Sequence, residues 1–248
     1  IFSLMKKVPG YYMHGYEAAY KIEKKRESQK TTLSKSVFQS IEGLFEVVKH
    51  PYVFGIMSMV FFYEMTAVVL DYIMALDAES RFASAVGLTG YYSMYMLLMH
   101  SLGILIALFG TAPIQRFFGI RFSLFASPLL TFLTFTLILI FPAPGIIFAA
   151  VVFTRAMNYG LNHPTREALF IPTTKSIKFK AKAWTDAFGS RGSKAVGSLL
   201  NGTFLLGIVR IGALFSIVMA SAWFVVAYFL GKSFQETVDK NKVIGEDS

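Results

Sequence analysis

Long uninterrupted apolar segments restrict most strongly how this chain can fold. One of them, from Ser123 to Ile140, contains no charged residue. An α-helix rises 1.5 Å per residue, so about 20 such residues cover the roughly 30 Å of hydrocarbon in a bilayer. The segments lack the alternation of apolar and polar residues that marks membrane β-strands. Lipid has no hydrogen-bond partners for unpaired backbone groups, so helices are required. The sequence therefore predicts an all-α membrane protein.

Six apolar segments of this kind follow one another along the chain. They are predicted at 52–76, 91–111, 119–141, 146–164, 186–208 and 212–231. Glycine and proline often end helices, so breaks between helices are predicted at Gly110 to Pro113 and at Phe141 to Gly145. A polar loop is predicted at Ser80 to Thr89. The composition also indicates a membrane protein, because only 16% of the residues are charged, compared with about 25% in soluble domains.

The positive charges are distributed unevenly around these segments. Of the 24 Lys and Arg residues, three lie well inside predicted spans and two, Arg81 and Arg210, are predicted on one side of the membrane. The remaining 19 fall on the other side, and such a bias marks the cytoplasm. Both ends of the six-helix unit are therefore predicted to be cytoplasmic. Because the charges lie between apolar segments, the net charge of +9 indicates membrane topology and no nucleic-acid partner.

The segments that flank the six spans suggest the domain organisation. The chain starts with Ile, and its first five residues are apolar and precede two lysines, the reverse of a signal peptide. We predict the end of a preceding transmembrane helix at 1–10, a basic cytoplasmic linker at 11–50, a six-helix transmembrane half at 51–231 and a cytoplasmic tail at 232–248. This organisation is typical of the C-terminal half of a twelve-helix transporter of the major facilitator type. We therefore expect an N-terminal half that is missing from this chain.

Two cations are predicted near the middle of the bilayer. Arg155 lies about 14 Å into the fourth span and Lys194 about 13 Å into the fifth, counted at 1.5 Å per residue. A charge at that depth costs about 2.5–3.5 kcal/mol, so it usually faces a cavity, pairs with a counter-ion or binds a ligand. Two cations at one depth fit a phosphate-bearing substrate between them. The alternative is that each pairs with a carboxylate on another helix.

Further charged residues accompany these two. Glu64 and Asp71 are seven residues apart and share a face of the first span. Either could pair with the cations, or carry a coupling proton, because burial disfavours a charged carboxylate. Arg191 either binds substrate or extends to the cytoplasmic interface, and Asp186 fits a partner for the helix dipole or a ligand. The small residues of the fifth span allow close helix contact.

Catalysis finds no support in the sequence. There is no cysteine, so a disulfide framework and a thiolate metal site are both excluded. The chain shows no Ser/His/Asp arrangement, no histidine cluster at ligand spacing and no phosphate-cradling glycine loop. We therefore predict a protein that is not an enzyme and needs no cofactor or metal.

The most specific part of the sequence is the stretch from Asn158 to Gly197. It resembles the nucleotide transporters of the ATP/ADP translocase family found in intracellular bacteria and plastids. The residues that carry the resemblance keep fixed spacings: Tyr159, Pro164, Thr165, Arg166, Glu167, Ile171, Pro172, Lys178, Lys180, Lys182, Ala183, Asp186, Gly189, Arg191 and Lys194. The similarity implies the C-terminal half of such a transporter, which exchanges ATP for ADP or imports nucleotides by alternating access.

The resemblance also implies roles for individual residues. Arg155, Arg166, Arg191 and Lys194 are implied to bind the phosphates of ATP, ADP or a related nucleotide. The acidic residues Glu64, Asp71, Glu167 and Asp186 are candidates for coupling or for salt bridges. The implied location is a bacterial inner membrane, with a plastid envelope as the alternative. Two other functions stay open: a proton-coupled transporter of another organic anion or phosphate ester, and a scaffold or receptor without transport activity.

Overall fold

The computed structural model describes residues 44–45, 47–203, 207–240 and 243–244, without the side chains of 175, 176, 180, 186–188, 200, 203 and 208. The chain separates into two compact units, Ile1–Glu42 and Gly43–Ser248, and the second contains every described residue. The predicted end of a preceding helix at 1–10 and most of the predicted linker at 11–50 lie outside the described residues.

The described residues are helical almost throughout. They form α1 (Pro51–Arg81), α2 (Ala85–Leu105), α3 (Ala112–Ile140), α4 (Pro144–Met157), α5 (His163–Ala168), α6 (Lys175–Trp184), α7 (Arg191–Thr203) and α8 (Ile208–Asp239). Three π-helical segments join neighbouring helices without a break: Ile106–Thr111, Asn158–Asn162 and Thr185–Ser190. An isolated parallel bridge between Thr173 and Ile244 is the β-structure found in this part of the chain.

Proline and capping residues explain where several helices begin. Pro51 and Pro144 occupy the first turns of α1 and α4, where the missing proline N–H would have had no partner. The Ser84 side chain accepts a hydrogen bond from the backbone N–H of Gly87 and caps α2, and Thr174 caps α6 in the same way. These positions follow the local rules for helix starts.

Four of the described helical stretches are long and apolar enough to cross a membrane. They are Pro51–Arg81, Ala85–Ile140, Pro144–Ala168 and Val209–Asp239. The first, third and fourth include the predicted spans 52–76, 146–164 and 212–231, and the second covers 91–111 and all but the last residue of 119–141. The predicted fifth span, 186–208, overlaps the π-helical segment Thr185–Ser190 and α7, which are rich in small and charged residues and are not among these four stretches.

Two predicted loop positions need correction. The chain does not break at Gly110 to Pro113, because the π-helical segment continues into α3, where Pro113 fits the first turn. The bend comes instead at Gly119, whose φ of 79° is one that residues with a Cβ rarely adopt. The polar loop predicted at Ser80 to Thr89 shrinks to residues 82–84, because α1 and α2 extend into it from both sides.

The helices pack around two apolar clusters stacked along α1. One contains Tyr63, Ala67 and Trp223, and the other contains Leu70 and Phe135. Many large apolar side chains on the opposite faces of the helices are exposed, among them Leu97, Leu108, Phe117, Phe118, Leu214, Val218 and Phe229. Exposure of this extent is expected where helices face lipid, so the described part of the chain is an all-α integral membrane protein.

Candidate functional site

Arg155 is held by a set of contacts from α1. Its guanidinium forms a bidentate pair with the carboxylate of Asp71, through Nη2 to Oδ2 and through Nε to Oδ1 at 3.3 Å. Nη1 donates to the hydroxyl of Tyr63 at 2.9 Å, and Nη2 also donates to the carbonyl of Ala67 at 3.4 Å. Because these partners follow one another at four-residue spacing, they form one face of α1. That face meets Arg155 at the boundary between the two apolar clusters.

Lys194 contacts the same helix further towards its N-terminus. Its Nζ lies 3.4 Å from Oε2 of Glu64, and the hydroxyl of Ser190 donates to Oε1 of Glu64 at 3.2 Å. The Lys194 side chain is 54% exposed, whereas that of Glu64 is 16% exposed. The ammonium group therefore lies on an open surface of the helix bundle and is held there by a carboxylate that is mostly covered.

The two ion pairs form one electrostatic cluster. Glu64 and Lys194 both lie close enough to Asp71 to interact with it electrostatically. The two carboxylates are seven residues apart on α1, about 10 Å at 1.5 Å per residue, but Arg155 also contacts Tyr63, the residue next to Glu64. That both cations lie at one depth therefore stays a prediction. Each cation does pair with a carboxylate, as the alternative in the sequence analysis proposed, and the pairs occupy a partly exposed face, since Asp71 is 46% exposed.

Small residues allow the fifth helical segment to approach α1 closely. A Cβ on Gly189 would lie 3.3 Å from Cγ of Met57, and one on Gly197 would lie 3.3 Å from the carbonyl oxygen of Met65. Ser193, midway between these glycines, is fully buried. Glycine and serine at four-residue spacing thus form the contact face. The adjacent residue Lys194 reaches Glu64 on the same helix α1 and stays half exposed.

The remaining predicted site residues lie towards the side that the charge bias predicts to be cytoplasmic. Arg166 is half-buried and Arg191 is exposed. Glu167 binds Lys182 through both carboxylate oxygens, at 2.7 and 2.8 Å, and so joins α5 to α6. The backbone of Asp186 belongs to a π-helical segment, but its side chain lies outside those that the structure describes.

The bond between Glu167 and Lys182 is expected to contribute little to stability. Both side chains are more than a third exposed, and exposed pairs typically contribute about 0–1 kcal/mol. We expect Glu167→Gln to lower the free energy of unfolding in detergent by less than about 1 kcal/mol, and added salt to reduce the difference further. A loss of several kcal/mol that persists in high salt would contradict this prediction.

Several residues around Arg155 were not identified from the sequence. Tyr63 binds its guanidinium directly, Tyr95 lies beside it, and Ser190 binds Glu64. The spacing of Tyr63, Ala67 and Asp71 is a signal that could have identified the first of these, because residues four apart share a helix face. For Tyr95 the sequence carries no comparable signal, since its position depends on how α2 packs against α4.

Apolar helices of membrane-crossing length that carry ion pairs between them define this chain as a helical integral membrane protein. Residues 145–235, from the start of α4 to near the end of α8, match the model of a family described as TLC ATP/ADP transporter. The match confirms, over this segment, the resemblance to the ATP/ADP translocase family. It supports nucleotide transport as the activity at the level of the family.

The comparisons with individual proteins give no further information. No curated protein and no solved structure matched the chain. The family match includes Arg155, Arg166, Arg191 and Lys194, whereas Glu64 and Asp71 of α1 lie before it. The geometry therefore links the matched segment to two acidic residues outside the match.

Proposed function

We propose that this chain is the C-terminal half of a twelve-helix transporter that moves nucleotides across a membrane by alternating access. The observation that carries the proposal is the cluster of two ion pairs on a partly exposed face of α1, next to a segment that matches ATP/ADP transporters. Charged groups facing lipid are costly. An aqueous pathway along α1 gives the exposed sides of Lys194 and Asp71 a favourable environment.

The helix lengths support a half-transporter with six crossings. The stretch Ala85–Ile140 contains 56 residues, about 84 Å at 1.5 Å per residue, which is far more than one crossing needs. The bend at Gly119 divides it into two parts that each match one predicted span. Together with α1, the stretch from α4 to α5, and α8, this supports five crossings, and we propose the segment Thr185–Ser190 with α7 as the sixth. Six is the number in one half of a major facilitator transporter.

The ion pairs suggest how binding and release would occur. In the absence of substrate, Asp71 and Glu64 neutralise Arg155 and Lys194. A phosphate group can replace the carboxylates, because a guanidinium offers it a planar fork of donors and an ammonium offers a point charge. Release of the substrate lets the carboxylates return. The protein thereby avoids leaving unpaired cations in the bilayer, which would be costly.

The cytoplasmic end fits an entrance for anions. Arg166 and Arg191 lie on that side of the two ion pairs, and Lys178 and Lys182 are carried by α6. Positive charge of this kind raises the local concentration of polyanions. The same lysines also agree with the positive-inside bias, so they support the proposal less strongly than the two ion pairs on α1 do.

Transport by the reconstituted protein tests the proposal. The full-length protein that contains this chain is placed in liposomes, and uptake of labelled ATP is measured with ADP, another nucleotide or buffer inside. We expect uptake that is saturable and accelerated by nucleotide on the inner side. Folded protein that takes up no nucleotide at all would refute the proposal. Uptake of another organic anion, driven by a pH gradient and insensitive to nucleotides, would establish the alternative function.

A further inference from the structure

We propose that Tyr159 and His100 form a platform on which the base of the nucleotide stacks while its phosphates bind at Arg155. This inference rests on the proposed function and adds to it a second subsite with a different chemistry. The phosphate subsite attracts any polyanion, whereas an aromatic surface selects ligands that carry a flat ring. The platform would therefore separate nucleotides from inorganic polyphosphates.

Tyr159 lies next to the cation site on the same helix face. It follows Arg155 by four residues, about 6 Å along the axis, and 51% of its surface is exposed. Its hydroxyl is near enough to those of Tyr63 and Tyr95 to interact with them electrostatically, and both of these tyrosines lie beside Arg155. The exposed ring thus borders the site that we assign to the phosphates.

His100 extends the aromatic surface from the neighbouring helix. Its ring centroid lies 6.1 Å from that of Tyr159, and the two planes are inclined by 36°. The close approach of α2 to α4 brings them together, since a Cβ on Gly103 would lie 3.6 Å from the carbonyl oxygen of Ala156. His100 is exposed as well. Two polar rings side by side form a surface broad enough for a heterocycle.

The rings of His100 and Tyr159 are polar, which favours a position along an aqueous pathway over contact with lipid. The other large exposed side chains of α2 are apolar, such as Met96, Leu97 and Ile104, as expected for residues in contact with acyl chains. A histidine ring in the hydrocarbon would leave its nitrogen atoms without hydrogen-bond partners. Base and phosphates of a nucleotide are separated by one ribose. One helical turn between Arg155 and Tyr159 is a separation of similar size.

Competition by two ligands tests this inference in the full-length protein. The affinities of ADP and of inorganic tripolyphosphate are measured for the wild type, Tyr159→Leu and Tyr159→Phe. We expect Tyr159→Leu to weaken ADP binding about 5- to 150-fold, equivalent to the roughly 1–3 kcal/mol of a base–aromatic stack, and to change tripolyphosphate binding by less than about two-fold. Tyr159→Phe keeps the ring and should bind ADP like the wild type.

A matched control comes from Tyr228 on α8, which is also exposed and lies against Arg121 away from the ion pairs. Tyr228→Leu should leave both affinities unchanged. Equal losses for ADP and tripolyphosphate in Tyr159→Leu would show a structural role and overturn the platform, while leaving the proposed function intact. A wild type that binds neither ligand would refute the proposed function, and the platform with it.

Discussion

Replacement of Gly160 by Ala should destabilise the protein by about 1–3 kcal/mol, the range observed when a methyl group is forced into a well-packed interior. Gly160 is buried in the π-helical segment Asn158–Asn162. A Cβ at this position would lie 2.5 Å from Cγ2 and 2.7 Å from Cβ of Ile106, and 3.1 Å from the carbonyl oxygen of Gly103. The first two distances are too short for non-bonded carbon atoms, and the third is tighter than most contacts of a Cβ.

The neighbours of Gly160 have little freedom to move. The Cβ of Ile106 is fixed to the backbone of another π-helical segment, Ile106–Thr111. The hydroxyl of Thr111 donates a hydrogen bond to the carbonyl of Gly160 and ties the two segments together. A side chain at residue 160 must therefore push the two helices apart. The strain should also disturb the nearby contact between His100 and Tyr159, so nucleotide affinity should fall together with stability.

The measurement is the midpoint of thermal unfolding in detergent, with Gly90→Ala as the matched control. No atom lies within 4 Å of a Cβ at Gly90 in α2, so alanine there should stabilise the helix by about 0.5–1 kcal/mol. Adding Ile106→Ala to Gly160→Ala should restore only part of the stability, because the Cβ of residue 106 is still too close. An unchanged midpoint for Gly160→Ala would contradict the close approach of these segments.

The sequence predicts most of the helical framework because apolar segment length is a local property. The spans at 52–76, 146–164 and 212–231 all lie within observed helices. The bend at Gly119 was not predicted, because proline is compatible with the first turn of a helix as well as with its end. The choice between these two roles of Pro113 depends on the packing of α3 and not on the nearby sequence.

The candidate site was predictable in its charges but not in its pairing. The cost of charges in lipid identified Arg155, Lys194, Glu64 and Asp71 as residues that need partners. Which carboxylate faces which cation depends on the rotation and depth of three helices, and the sequence specifies neither. Counting residues from the ends of the spans placed both cations at one level. The structure pairs them with carboxylates seven residues apart along α1, and Arg155 also contacts Tyr63, next to Glu64.

Replacement of Arg155 by Gln should weaken nucleotide binding about 10- to 150-fold, if its guanidinium contributes the roughly 1.5–3 kcal/mol of a hydrogen bond to a charged group. Lys194→Gln should have an effect in the lower part of this range, because the Lys194 side chain is 54% exposed and water screens its charge. Binding of labelled ATP to the full-length protein measures both effects. Unchanged affinity in both variants would show that these cations serve only the structure.

A double substitution separates binding from structural pairing. Arg155→Gln alone leaves Asp71 without its counter-ion, so the protein should also lose stability. Adding Asp71→Asn removes that unpaired charge and should restore the stability. It should not restore nucleotide affinity, because the guanidinium that binds phosphate is still absent. If the pair were only a structural link between α1 and α4, the double variant would recover both stability and affinity.

The single variant Asp71→Asn should have the opposite effect on nucleotide affinity. Asp71 pairs with Arg155 and in the proposed function competes with phosphate for it, so its neutralisation should strengthen nucleotide binding. An amide still accepts a hydrogen bond from the guanidinium but attracts it far less than a carboxylate does. The gain in affinity should disappear in the Arg155→Gln background, because the guanidinium for which Asp71 and phosphate compete is then absent. Weaker binding in Asp71→Asn would mean that the carboxylate positions Arg155 for its ligand and does not compete with it.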